Sequence, residues 1–178
     1  GAFYDYKNLI RIDIPSTVLF IGNSSFSGCT NLNEINIPNS VTKIGSYAFY
    51  FCTSISNFNI PASLNTIGEF AFFNCTELTK IDIPSSLSFI GEYVYYQSRK
   101  ISEITVNSNI PPKVGWTTFG GVNKDVPLYV PASSILKYQT TIGWCDFTNI
   151  LPITATKIKP LTKSNYNINV TNQLLKIS

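Results

Sequence analysis

Three of the four cysteines, Cys29, Cys52 and Cys75, recur 23 residues apart, and Ser98 continues the series. Regularly spaced thiols can pair, ligate a metal or simply pack. A metal site would need a tight CxxC or a histidine partner, and the chain has no histidine. The same lack rules out Ser-His-Asp and Cys-His nucleophilic catalysis. If 23 residues make one coil of a stacked structure, neighbouring Cα atoms lie about 5 Å apart, within disulfide range. Their Cβ vectors then run parallel, which makes bridging awkward. The expectation is a ladder of small buried thiols, with Cys145, beside Trp144, in a separate core. Glu69 and Glu92 share the spacing. Two carboxyl groups about 5 Å apart are the pair of a retaining glycosidase, so polysaccharide cleavage is one reading. The plainer reading is two solvated surface acids, since Asn23 and Ser46 hold the same place in earlier repeats. Gly120-Gly121 lacks the pattern of a phosphate loop and reads as a turn.

What positions these residues is the repeat itself. Ile21-Gly22, Ser25-Phe26, Cys29, Leu32, Ile35 and Ile37-Pro38 return as Ile44-Gly45, Ala48-Phe49, Cys52, Ile55, Phe58 and Ile60-Pro61. They return again as Ile67-Gly68, Ala71-Phe72, Cys75, Leu78, Ile81 and Ile83-Pro84. Alternation around Ile35 and Ile37 predicts a short half-buried strand in each repeat, which Pro ends because it cannot donate to a ladder. Val41 and Ile44 point inward, Gly45 permits a sharp corner, and Ala48-Phe49 fit a helical or 3₁₀ turn. One repeat cannot bury its own apolar face, but stacked repeats can. Phe3, Phe26, Phe49, Phe72 and Tyr95 then form one inward column, and Ile12, Ile35, Phe58, Ile81 and Ile104 another.

The period slips by one after Val106, where Val114-Gly115 and Thr118-Phe119 echo the motif. Residues 1–131 are read as a solenoid of about five full coils and a degenerate last one. Residues 132–150 are a C-terminal cap, with a short helix from Ser134 to Thr140, capped by Ser133 or Ser134 and stopped by Gly143. Trp144 and Phe147 close the open end of the core. Alternation in 151–178 predicts a β-rich tail or the start of a further module. The first repeat opens in mid-pattern, Ala2-Phe3 aligning with Ser25-Phe26, so the chain is expected to be an excised fragment.

Of the 178 residues 44% are apolar, ample for a core, while only 13% are charged. The net charge of +3 is uneven. Residues 1–150 carry nine Lys/Arg against ten Asp/Glu, a net of −1, and the tail adds four spaced lysines and no acid. Such lysines are too dispersed to argue for nucleic acid. No apolar run approaches the ~18 residues of a membrane span.

Two faces remain for binding. Tyr47, Phe70 and Tyr93 flank the inward Phe column on one side, and Tyr50, Phe51, Phe73 and Tyr96 on the other. Such an aromatic strip either marks an interaction face or packs against itself along the turns. The strand face carries Glu34, Asn36, Asn59, Lys80 and Asp82. Within it Arg11–Glu34 and Lys80–Glu103 are neighbours of opposite sign that fix register.

The motif Leu-x-x-Ile-x-Ile-Pro-x-x-Val-x-x-Ile-Gly-x-x-Ala-Phe-x-x-Cys resembles the repeat of the BspA-like leucine-rich repeat surface proteins. Leu128-Tyr129-Val130-Pro131 through Tyr138, Gly143-Trp144 and Phe147 is similar to their closing segment. The resemblance covers roughly residues 1–150. It implies a leucine-rich-repeat solenoid, a right-handed superhelix of short parallel strands with a C-terminal cap. It further implies an exported, cell-surface location and a non-enzymatic adhesion or binding role without cofactor or metal. The expected partner is a host extracellular protein or another cell-surface protein. A glycan-binding module and a structural spacer are the alternatives.

Overall fold

The structure, a computed structural model, describes residues 1–154. The tail expected as β-rich falls largely outside them, save for its first residues. Most coils place one strand at the front, and four place a two-residue strand at the back. In chain order these are β1 (Arg11–Asp13), β2 (Phe20–Ile21), β3 (Glu34–Asn36), β4 (Lys43–Ile44), β5 (Thr66–Ile67), β6 (Lys80–Ile83), β7 (Phe89–Ile90), β8 (Glu103–Val106), β9 (Leu128–Val130) and β10 (Ile150–Pro152). All pairings are parallel and in register, for example Ile12 with Ile35 and Ile81 with Ile104. The back ladder runs unbroken through β2-β4-β5-β7. The front ladder is split into β1-β3 and β6-β8-β9-β10.

The expected strand in the third coil is therefore a correction. Residues 58–60 form no strand, and Asn57 makes only an isolated bridge to Lys80. In the other coils the column behind the strand holds Ile or Leu, whereas here it holds Phe58. Its ring lies edge-on between Phe49 and Phe72, at 5.3 and 4.5 Å. A ring reaches farther than a branched aliphatic chain, so seating it holds the backbone of 57–60 off from β3.

The core is a column. Phe3, Phe26, Phe49, Phe72, Tyr95 and Phe119 stack face to face at 5.1–5.8 Å. Trp144 and Phe147 pack against Phe119 and terminate the series. Trp144 is fully buried and donates its indole N–H to the Pro112 carbonyl at 2.8 Å.

The segments expected as helical or 3₁₀ turns make 3₁₀-type i to i−3 bonds but do not continue into a helix; they are chains of single tight turns. Alternate N–H groups close a turn within the coil (Tyr50 to Tyr47, Cys52 to Phe49) or reach the next coil (Tyr47 to Glu69, Phe49 to Ala71, Phe51 to Phe73). An α-helix sends all its donors along its own axis, so it cannot stitch coils this way. The turns put non-glycine residues at positive φ, among them Tyr47 (61°), Phe51 (58°), Phe70 (57°) and Tyr93 (57°). The corner glycines do not need positive φ. A Cβ on Gly68 would meet Ser46 N at 2.5 Å and Gly45 C at 2.8 Å, so the residue is there for close approach of successive backbones.

A 3₁₀ turn (Ala132–Ser134) leads into α1 (Ile135–Thr140). Ser134 holds the N-cap position, but its hydroxyl makes no cap bond. It donates instead to Asn109, 3.0 Å from the main-chain carbonyl, and so ties α1 to the last coil. Cys145, expected in a core, is exposed.

Candidate binding faces

The turn layer sets the aromatic face. Positive φ at Tyr47, Phe70 and Tyr93 swings three side chains onto one flank. They stack as a second column with centroids 4.9 and 4.7 Å apart and planes within 10°. Tyr50, Phe73 and Tyr96 form a third, at 5.1 and 5.4 Å. Tilted or edge contacts join the two columns coil by coil, Tyr47–Tyr50, Phe70–Phe73 and Tyr93–Tyr96, at 5.5–5.7 Å. Phe51 leans on Tyr50 and Phe73. Tyr47 and Phe51 are 40% and 38% exposed, and the other five are half-buried. All seven strip residues thus come together. Within each column, ring faces are spent on one another, so what reaches solvent is mainly edges and the faces of the end rings.

The cysteine column explains itself locally. Cys29, Cys52 and Cys75 are free and buried. Each thiol donates to the carbonyl of the column residue 26 positions back: Phe3 (3.1 Å), Phe26 (3.0 Å) and Phe49 (3.4 Å). Ser98 donates to Phe72 at 3.4 Å in the same way, which is why it can replace a cysteine. Burial pushes all three thiols above their ordinary range. Such thiols are poor nucleophiles.

Glu69 is exposed, and Glu92 is half-buried. The Glu92 carboxylate accepts from the Thr117 hydroxyl and, at 3.2 Å, from the Thr117 N–H. Asn23 Oδ1 likewise accepts from Ser46 N, at 3.0 Å. At these two positions the column clamps the next coil. Among the described residues no group of three or more His, Cys, Asp or Glu comes together to hold a metal.

The strand face divides with its ladder. Arg11 reaches Glu34 across β1-β3 at 3.3 Å and Asp13 on its own strand at 3.2 Å. Lys80 reaches Glu103 at 3.9 Å, and Asn107 donates to Asp82 at 2.8 Å, across β6-β8. Between these groups a polar cleft of about 410 Å³ opens along β3 and the third coil. Glu34, Asn36 and Asn59 line it, whereas Lys80 and Asp82 do not. The sequence reading missed the cleft. Its signal was Phe58 in an aliphatic column and the uncharged Asn57 between two charge pairs. Trp116, 72% exposed, was also passed over.

Residues 1–121 match the BspA type leucine rich repeat region, in six copies. Among curated proteins none matches the chain. A leucine rich repeat protein of T. pallidum is 25% identical, with a TM-score of 0.60 over 85% of this chain and 61% of its own. The pneumococcal vaccine antigen PcpA is 20% identical, with a TM-score of 0.64 over 84% of this chain and 43% of its own, and shares the fold. The chain thus spans less than two thirds of either. With the family motif matched over most of its length and the coils stacked as that motif requires, the chain belongs to the BspA-type leucine-rich repeat family.

Proposed function

We propose that this chain is the binding scaffold of an exported, cell-surface protein and engages a protein partner, without catalysis, through its aromatic face. The observation that carries the reading is the pair of stacked ring columns with Tyr47 and Phe51 projecting from them. Stacking fixes these rings in advance, so little side-chain freedom is lost when a partner packs on them. Aromatic residues held this way are the usual anchors of protein interfaces. A sugar platform needs an open ring face, and most faces here are covered by neighbouring rings. The family supports a surface role, and the hydrogen bonds of Glu92 support the non-enzymatic reading.

The test is a screen on arrayed extracellular-matrix proteins, mucins and glycans, with the parent beside a Tyr47→Ala, Phe51→Ala double variant. These two rings are the most exposed of the face, so the fold survives their loss, as circular dichroism checks. Capture of a protein by the parent and not by the variant supports the proposal. Equal capture by both moves the partner to another face.

A further inference from the structure

We infer that the cleft on the strand face is a second, separate site that takes a neutral saccharide unit. It exists because the front ladder fails between β3 and the third coil. Among the described residues no strand pairing and no backbone hydrogen bond joins 33–37 to 56–60. Elsewhere on this face the bond is made. Asn33 N reaches Ile10 O at 3.0 Å, Thr79 N reaches Ser56 O at 3.1 Å, and Ser102 N reaches Thr79 O at 2.9 Å. The corresponding bond, from Ser56 to Asn33, is missing, so backbone polar groups line an open cleft.

Its rim is Arg11, Asp13, Glu34, Asn36, Asn57 and Asn59. These planar polar ends suit adjacent hydroxyls. Each amide offers a donor beside an acceptor, each carboxylate two acceptors, and the guanidinium a fixed fork. Arg11 is already oriented by Asp13 and Glu34. Ile12 and Ile35 also border the cleft, but their side chains pack against the core, so recognition rests on the polar rim. The volume lies within the usual range of small-molecule sites.

Other ligands fit less well. An inserted peptide strand needs about 4.8 Å on either side, so the two coils would have to stand twice as far apart. The unbroken back ladder keeps the coils one strand spacing apart at the back, so a full strand enters only if the front hinges wide open, while a saccharide hydroxyl needs no such opening. Two carboxylates against one guanidinium leave the rim net negative, which disfavours acidic sugars.

The experiment uses the whole chain. Backbone amide NMR is followed during titration with glucose, mannose, galactose, N-acetylglucosamine and sialic acid, and with an extended polar peptide. The expected result is saturable shifts confined to 33–37 and 56–60 for a neutral sugar. An Asn36→Ala, Asn59→Ala variant then weakens that binding by about tenfold or more. Phe58→Ile restores slow hydrogen exchange in 56–60 and abolishes binding, whereas Tyr47→Ala, Phe51→Ala binds as the parent does. Silence with every sugar, shifts elsewhere, preference for sialic acid or the peptide, or full binding by Phe58→Ile overturns the inference. None of these outcomes bears on the aromatic face.

Discussion

The thiol of Cys75 donates to the main-chain carbonyl of Phe49, one coil back and 3.4 Å away. A residue usually valued for its reactivity is used here as a small donor that fits beside a ring. Cys29 and Cys52 do the same, and only Cys145 of the four faces solvent. A colorimetric thiol assay on the native protein is therefore expected to count one reactive cysteine, and four after denaturation. Two or more fast native thiols would contradict the buried ladder.

Stability is expected to be lost in alkali. Burial raises the pKa of Cys29, Cys52 and Cys75 above 9.0 and of Tyr95 and Tyr138 above 10.0. In the unfolded chain these groups ionise at their ordinary values, while the folded chain keeps their protons. Their contribution is complete below about pH 9 and falls as pH rises beyond it, on the order of 1 kcal/mol per pH unit for each group ionised only when unfolded. Lys124, whose pKa burial lowers, slopes the other way, one group against five. Urea midpoints from pH 7 to 11 check this, and a rise above pH 9 refutes it.

Tyr95 occupies a column otherwise held by Phe, and its hydroxyl is buried with no protein partner among the described residues. Leaving such a group unpaired costs about 1–3 kcal/mol. Tyr95→Phe is expected to stabilise the fold by about 1 kcal/mol in chemical denaturation. A loss of stability would mean that the hydroxyl is satisfied after all.

Gly68→Ala places a methyl carbon 2.5–2.9 Å from the backbone of Gly45 and Ser46. Backbone, unlike a side-chain tip, cannot swing aside. Destabilisation of about 3 kcal/mol or more is expected, at the upper end for overpacking. An Ala tolerated at this corner would show that the coils can separate locally.

The two tryptophans should behave oppositely. Trp144→Ala removes the ring that closes the core and is expected to cost about 3–5 kcal/mol. Trp116→Ala, at an exposed ring, is expected to stay within about 0.5 kcal/mol. In the parent, iodide should quench one tryptophan population and spare the other.

The stacking was legible because a period of 23 allows one arrangement, in which equal positions superpose. Columns such as Phe26–Phe49–Phe72 follow at once, as does the closing role of Trp144. What escaped depended on the spaces between coils. Gly68 looked like a corner residue, yet it is selected by what lies one coil earlier. Ala48-Phe49 fitted a helical or a 3₁₀ turn equally, because residue types do not reveal whether an N–H bonds within its coil or to the next. Phe58 looked like a conservative replacement of Ile, but its extra reach is felt in the backbone beside it. The aromatic strip could be named from sequence, but the stacking of its ring faces could not.

The split front ladder has a mechanical side. Between the second and third coils the solenoid is held at the back by hydrogen-bonded strands and at the front by no strand pairing. Widening the front there breaks no strand pairing, whereas widening the back breaks the β4-β5 pairing. Bending stiffness at that level is therefore directional, compliant toward opening the strand face and stiff in the opposite sense. Phe58, wedged between Phe49 and Phe72, sits where the bend would pivot.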